Sequence, residues 1–182
     1  MASGAKPGLL GALPTTFVPP PSCTSSFDHL YQKSKVGALV YGPISTDGCC
    51  FPSNYKPERT SYFSPATACP TGYTTAFTAG AVETTVLCCP SGGGFTLDNG
   101  HTALDYEKTL ACYSKFDTIS TTVIIIDEVG VTRTTQELIV TSPRGAVNAY
   151  GYQLRFQVTD SPTSLTLSPL LGLHGTRSHE PC

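Results

Sequence analysis

The amino-acid sequence predicts a mainly all-β protein, a small β domain pinned by disulfides, with an antiparallel sheet and little or no helix. Eight cysteines occur among 182 residues, which is a high share for a chain of this size. Serine and threonine make up nearly a quarter of the residues, and the apolar runs are rich in β-branched side chains, which favour strands. Fifteen prolines and 17 glycines divide these runs into short segments, as expected for strands joined by turns.

The strongest strand signal lies near the end of this β-rich region. Apolar and polar residues alternate over residues 150–159, which is the pattern of a strand with one buried face. The β-branched segments Thr121–Asp127 and Thr134–Thr141 lie on either side of Gly130, and together they predict a hairpin.

Two further strands are predicted in the first half of the chain, at Val36–Tyr41 and Val82–Cys88. A helical pattern occurs only at Thr102–Ala111, and it is weak. It follows a turn signal at Asp98-Asn99-Gly100.

The cysteines predict a disulfide scaffold. No C-x-x-C pair occurs, which removes the main zinc and thioredoxin signals, and neither a metal nor a cofactor is expected. The cysteines do form two adjacent pairs, Cys49-Cys50 and Cys88-Cys89. Because neighbouring residues of an extended strand point to opposite faces, adjacent cysteines should bond to different partners. Such a scaffold forms in an oxidising compartment, whereas buried free thiols would indicate a cytosolic protein.

A Cys–Pro turn unit recurs three times, starting at Cys50, Cys69 and Cys89, at intervals of 19 and 20 residues. Each unit contains a cysteine, a proline, a small hydroxyl residue, a turn residue and then an aromatic residue. Proline presets φ for a turn, and glycine or asparagine accepts the backbone that follows. Each unit is therefore predicted to form a turn that its cysteine anchors, with the aromatic ring packed over the bridge.

Composition divides the chain into three parts. Residues 1–22 predict a disordered leader rich in proline and glycine, and residues 161–182 predict a disordered tail of similar kind. Residues 23–160 are predicted to form a single β-rich domain, with a Cys-rich half at 23–112 and a Cys-free sheet half at 113–160.

Charge and hydropathy exclude several classes of partner. Eleven Lys and Arg against 13 Asp and Glu leave no basic excess for nucleic-acid binding. The most apolar run, Val123–Ile126, is far shorter than the roughly 20 residues that a transmembrane helix needs, so no membrane span is expected. Residues 1–14 lack the apolar run of roughly 7–15 residues typical of a secretory signal, so the sequence does not indicate a route of export.

Five blocks carry a family resemblance: GALPTTFVPPPSC, CFPSNY, YFSPATACPTGYTTA, ETTVLCCPSG and NAYGYQLRFQVTD. In order and spacing they resemble a broad group of uncharacterised ascomycete fungal proteins with a Cys-rich ectodomain. In that group a Ser/Thr-rich stalk, one membrane span and a cytoplasmic tail usually follow, and this sequence does not show them. The resemblance covers about residues 11–160 and implies a module at a fungal cell surface.

The cysteine pattern departs from that group at two positions. The group usually has cysteine where Phe77 and Leu97 stand, and the loss of both together is expected if those two cysteines bond to each other in relatives. The matching cysteines are Cys23, Cys50, Cys69, Cys88, Cys89 and Cys112. Six cysteines allow 15 connectivities, among which the sequence does not choose. Cys49 and Cys182 are extras.

Few residues predict catalysis. His101 could act as a base near Asp98 or Asp105, but an exposed turn histidine is the preferred interpretation. Asp127 and Glu128 are adjacent, so on a strand they would face opposite ways rather than share a cleft as in a glycosidase. We therefore predict no catalytic residue.

Binding is the better-supported class of function. Tyr55, Tyr62, Tyr73 and Tyr113 could stack on sugar rings, although aromatic cover for the disulfides is the preferred interpretation. The sequence thus predicts a non-enzymatic, secreted or surface Cys-rich module, whose partner is a cell-wall polysaccharide or another protein. The alternatives are an accessory protein of a fungal secondary-metabolite gene cluster and a secreted effector-like protein.

Overall fold

The computed structural model describes residues 6–15, 17–24, 29–33, 36–42, 48–97, 109–115, 118–126, 134–141 and 146–157. Within these ranges the chain forms ten strands in two sheets, which confirms the all-β prediction. The helical segments that occur there are two 3-10 turns, Pro21–Thr24 and Ser91–Gly93. The predicted tail, the weak helical pattern before residue 109 and the Asp98-Asn99-Gly100 turn lie outside the described residues.

The strands are β1 His29–Lys33, β2 Val36–Tyr41, β3 Tyr73–Ala79, β4 Glu83–Pro90, β5 Thr96–Leu97, β6 Cys112–Lys115, β7 Thr118–Ile126, β8 Thr134–Thr141, β9 Ala146–Ala149 and β10 Tyr152–Gln157. The sequence predicted β2, β4, β7, β8 and β10, with small differences at the ends. Strands β7 and β8 pair in antiparallel register from Thr118↔Thr141 to Ile125↔Thr134, as predicted for a hairpin. The connection around Gly130 lies outside the described residues.

The larger sheet has seven strands in the order β5-β6-β9-β2-β1-β7-β8. It is mixed rather than purely antiparallel, because β2 pairs with β9 and β1 pairs with β7 in parallel. The smaller sheet has the order β10-β4-β3 and is antiparallel throughout.

Both sheets contain strands from the Cys-rich half and from the Cys-free half of the chain. Strand β9 lies between β6 and β2, and β10 pairs with β4. Strands β7, β9 and β10 of the Cys-free half thus pair with β1, β2 and β4 of the Cys-rich half.

The small sheet continues past β10 through two irregular segments. The N–H of Phe63 donates to the carbonyl of Gln153 at 2.9 Å, and the N–H of Arg155 donates to the carbonyl of Phe63 at 2.8 Å. Residues 8–11 then pair with residues 62–64, since the N–H of Leu10 donates to the carbonyl of Tyr62 at 2.9 Å. The N-terminal segment thus forms the outermost strand at this edge.

This arrangement corrects the prediction of a disordered leader for the described residues of 1–22. Gly8, Leu10 and Gly11 hydrogen-bond to residues 62–64, and Leu10, Leu13 and Phe17 pack against a buried cluster. Gly8 has φ of 78°, and a β-carbon there would collide with the carbonyl of Thr60, so the close approach of the two segments requires glycine. Proline and glycine content indicated disorder, but here glycine permits the pairing.

Two buried clusters lie on opposite faces of the small sheet. The inter-sheet core packs that sheet against the large one and consists of Leu39, Tyr41, Leu87, Cys89, Phe95, Cys112, Val147 and Ala149. The loop-side core lies under the described residues of 6–24 and 48–72, which we call the loop layer. It consists of Cys23, Cys50, Phe51, Phe63, Tyr73, Val86, Cys88, Tyr152 and Leu154. Alternation along β10 agrees with the predicted pattern, because Tyr152 and Leu154 are fully buried and Gln157 is exposed.

Gly151, just before β10, lies close to two cysteines that form bridges. A β-carbon at Gly151 would lie 2.7 Å from Cys112 Sγ and 2.8 Å from the carbonyl oxygen of Cys88. We expect Gly151→Ala to lower the free energy of unfolding by about 1–3 kcal/mol, the usual cost of forcing an extra carbon into a packed site. Urea denaturation measures this change.

Gly48→Ala is the matched control for Gly151→Ala. A β-carbon at Gly48 would have no neighbour within 4 Å. Equal midpoints for the two variants would contradict the close packing around Gly151.

Candidate functional site

Three disulfides join described residues: Cys23–Cys50, Cys69–Cys88 and Cys89–Cys112. They use the six cysteines that the sequence predicted, and each cysteine bonds to its neighbour along that series. Their Cα–Cα distances of 5.5, 5.5 and 5.7 Å are ordinary for disulfides. Cys49 is disulfide-bonded as well. No free cysteine occurs in the described part of the chain.

Strand β4 sends two bridges in opposite directions. Cys88 lies in the loop-side core and bonds to Cys69 of the loop layer, whereas Cys89 lies in the inter-sheet core and bonds to Cys112 of β6. This confirms that adjacent cysteines take different partners. One strand is thereby crosslinked to the layers on both of its sides.

The Cys–Pro turn units behave as predicted at Cys50 and Cys69. The N–H of Tyr55 donates to the carbonyl of Pro52 at 2.8 Å, and the N–H of Tyr73 donates to the carbonyl of Pro70 at 3.0 Å. In the third unit Ser91–Gly93 form a 3-10 turn, and Phe95 enters the inter-sheet core beside the Cys89–Cys112 bridge.

Tyr152 is the centre of an aromatic cluster beneath the loop layer. Its ring lies 4.8 Å from that of Tyr73 in an edge-on arrangement, 5.6 Å from Tyr55 and 5.8 Å from Phe51, measured between centroids. Its hydroxyl donates to the carbonyl oxygen of Cys50 at 2.7 Å. This hydrogen bond connects β10 to the Cys23–Cys50 bridge.

Burial raises the pKa of Tyr152, Tyr73 and Tyr55 above the usual value for tyrosine. The neighbouring tyrosines raise the pKa of Tyr152 and Tyr55 further, because charge on one ring disfavours charge on the next. All three phenols are therefore neutral at physiological pH and pack as uncharged rings, and those of Tyr55 and Tyr152 donate hydrogen bonds.

A groove of about 440 Å³ opens on the surface of the loop layer. Residues 13–15, 17 and 18 form one wall, and residues 65–71 form the other. Its volume falls within the range of about 300–1,000 Å³ that is usual for ligand pockets. Leu13 and Phe17 are anchored in the loop-side core, and Cys69 fixes the second wall to β4.

The lining of this groove is mainly apolar. Its lining side chains are aliphatic, aromatic, proline or threonine, apart from Cys69, whose sulfur is bridged to Cys88. No ionisable side chain that could transfer a proton therefore lines the described groove. What it offers is apolar contact and threonine hydroxyls.

The structure places the four predicted tyrosines away from this groove. Tyr62 and Tyr73 are buried, with 3% and 8% of their surfaces exposed. Tyr55 stacks on Phe51 at 4.3 Å, and its hydroxyl donates to the carbonyl of Gly151 at 3.1 Å. Tyr55 and Tyr73 thus pack beside bridges, in agreement with the preferred interpretation that these rings cover disulfides.

The remaining sequence candidates contribute little to a described site. His101, Asp127 and Glu128 lie outside the described residues. Phe77 and Leu97, the positions at which the resemblance predicts cysteines, both pack against the inter-sheet core, so the two positions face the same cluster. Within the described ranges, no group of three or more His, Cys, Asp or Glu is arranged to hold a metal ion.

None of the helical segments among the described residues has the length and hydropathy that crossing a bilayer requires. Comparison of the chain with protein-family models, with curated proteins and with solved structures finds no match.

Sequence reasoning missed the first wall of the groove. Leu13, Phe17 and Val18 lie in the stretch that was interpreted as a disordered leader because of its prolines and glycines. The signal that could have found this wall was the recurrence of large apolar residues in a segment without charge, which a solvated tail does not need.

The exposure of the bridges predicts the order in which they are reduced. Cys69 is only half-buried, whereas Cys89 and Cys112 have no exposed surface. Because thiol–disulfide exchange needs access to a sulfur atom, a mild reductant should open Cys69–Cys88 first.

Alkylation with two isotopic forms of a maleimide, before and after full reduction, measures this order peptide by peptide. The Cys89–Cys112 bridge is the internal control. Early labelling of Cys89 and Cys112 would contradict the burial described here.

The buried tyrosines predict a loss of stability at high pH. In the unfolded chain they ionise at about pH 10, whereas in the folded protein their raised pKa keeps them neutral at that pH. Their contribution is complete below that pH and is lost as the pH rises above it. The melting temperature should therefore fall between about pH 9 and pH 11.

Tyr152→Phe removes the Tyr152 hydroxyl, and with it both a hydrogen bond and a group that ionises in alkali. The variant loses the hydrogen bond to Cys50 and should be less stable near neutral pH by about 1–3 kcal/mol. Its melting temperature should nevertheless fall less steeply in alkali. A wild-type melting temperature that stays constant across the alkaline range would refute the argument.

Proposed function

We propose that this chain is a non-enzymatic, Cys-rich binding module that works outside the cell, secreted or at a fungal cell surface. The observation that carries the proposal is the disulfide network of strand β4. Cys88 and Cys89 hold two separate layers onto one strand, and neither cysteine has exposed surface. A fold held in this way suits an oxidising compartment, because the cytosol keeps such thiols reduced.

The groove supports the binding part of the proposal. It is a surface concavity of pocket size. One wall is held by a bridge, and the other by Leu13 and Phe17, which pack against the loop-side core. Fixed walls of this kind lower the ordering cost of binding. The lining carries no side chain suited to general acid–base chemistry, so binding fits it better than catalysis.

The fungal assignment comes from the sequence blocks. The segments around Cys50, Cys69 and Cys89 that carry the resemblance are the same segments that form the anchored turns. Tyr152, in the last block, donates its hydroxyl to Cys50 in the second. Residues that carry the resemblance therefore also hold the fold together.

Fractionation with thiol trapping tests this proposal. Cultures of the source cells are alkylated before lysis and separated into medium, cell wall and cytosol, and the cysteine peptides are then identified by mass spectrometry. We expect the protein in the medium or wall fraction, with the Cys23–Cys50, Cys69–Cys88 and Cys89–Cys112 peptides crosslinked.

A resident cytosolic protein run through the same alkylation serves as the control for artificial oxidation. A cytosolic pool of this chain with alkylated Cys88 and Cys89 would overturn the proposal.

A further inference from the structure

We propose that the groove of the loop layer binds an extended, uncharged, proline-rich segment of a partner protein. The inference rests on the proposed function, because it names the partner class for the same groove. Three features carry it: the absence of charge on both walls, the free backbone donors of one wall, and the lack of a platform for sugar rings.

Both walls come from long uncharged stretches of the chain. No Asp, Glu, Lys or Arg occurs between Lys6 and Asp28, or between Arg59 and Glu83. The groove lining, formed by residues 13–15, 17, 18 and 65–71, therefore offers no ion-pair partner. A charged ligand would lose hydration here without compensation, so the complementary partner is neutral.

The second wall presents unused backbone donors. The N–H groups of Ala66, Thr67 and Ala68 have no hydrogen-bond partner among the described residues. A polyproline II segment complements such a wall, because its carbonyl oxygens are unpaired and proline brings no competing N–H group. Such a ligand is already extended before it binds, which lowers the entropy cost of binding.

The apolar lining fits the same ligand. Leu13, Phe17 and Val18 on one wall, with Pro65 and Pro70 on the other, present surfaces suited to proline rings and aliphatic side chains. Val18 is 62% exposed, so a partner could cover it without displacing the core. Covering this apolar surface supplies the favourable free energy.

A polysaccharide fits the groove less well. Sugar binding by stacking needs flat, exposed aromatic rings, and the chain contains no tryptophan. Tyr62 and Tyr73 are buried, and the ring of Tyr55 is covered by Phe51. Phe17 is the single aromatic residue in the described lining, and it is anchored in the loop-side core.

Calorimetric titration of the oxidised full chain tests the proposal. The probe is a capped peptide of prolines, alanines and leucines, about ten residues long, which spans about 31 Å as polyproline II. Matched peptides carry two lysines or two glutamates in place of alanines. Laminarihexaose and chitohexaose are titrated in parallel. We expect the neutral peptide to bind and both charged peptides to bind more weakly.

Two exposed valines provide matched variants. Val18→Asp places a charge in the groove, whereas Val82→Asp places one at the β3–β4 connection, where the side chain is 83% exposed and outside the groove. Val18→Asp should raise the Kd of the neutral peptide at least about tenfold, because the charge loses water without gaining a partner. Val82→Asp should leave the Kd unchanged. Thermal melts verify folding, and Ala68→Asp replaces Val18→Asp if the latter does not fold.

Three outcomes would overturn the assignment. They are no binding of the neutral peptide, equal weakening by Val18→Asp and Val82→Asp, and binding of an oligosaccharide in place of the peptide. Each leaves the proposed function standing if thiol trapping still finds the bridged protein outside the cytosol. A reduced cytosolic protein would remove the proposed function whatever the peptide does.

Discussion

Two cysteines that are adjacent in strand β4 hold the layers of this molecule together. Because side chains alternate along β4, Cys88 and Cys89 point to opposite faces of the small sheet, and each is tied to a different layer. The large sheet is held on one side through Cys112, and the loop layer is held on the other through Cys69. The small sheet has three strands and would be marginal alone, so its stability depends on being covered on both faces.

The loop layer shows how irregular chain can be kept in place without a helix or a sheet of its own. Its turns are preset by prolines, its rings pack around Tyr152, and two bridges anchor it at Cys23–Cys50 and Cys69–Cys88. These anchors leave part of the layer free of internal hydrogen bonds, and that part forms a wall of the groove. Covalent and aromatic anchoring thus keeps this wall in one shape, although the N–H groups of Ala66, Thr67 and Ala68 make no hydrogen bond within the described chain.

The features that could be predicted from the sequence are those that depend on residues close together along the chain. The alternation at Tyr152 and Leu154, the turns that start at Pro52 and Pro70, and the divergence of Cys88 and Cys89 all follow from geometry within a few residues. The pairing of β10 with β4, the parallel pairs of the large sheet and the choice among 15 connectivities depend on contacts distant along the chain, which a single sequence does not encode in any local pattern. The groove was missed for the same reason, since its two walls are separated by about fifty residues and meet only because residues 8–11 pair with residues 62–64.

The outermost strand at residues 8–11 bears on how this protein is handled in the laboratory. A recombinant version trimmed back to Cys23, as a proline-rich start invites, would discard that strand and uncover the backbone edge at Tyr62 and Phe63. Uncovered edges pair with other molecules, so such a version would be prone to self-association and would also lack one wall of the groove. Residues 6–15 and 17–22 therefore belong to the minimal folded unit, and affinity tags are better placed well ahead of Gly8.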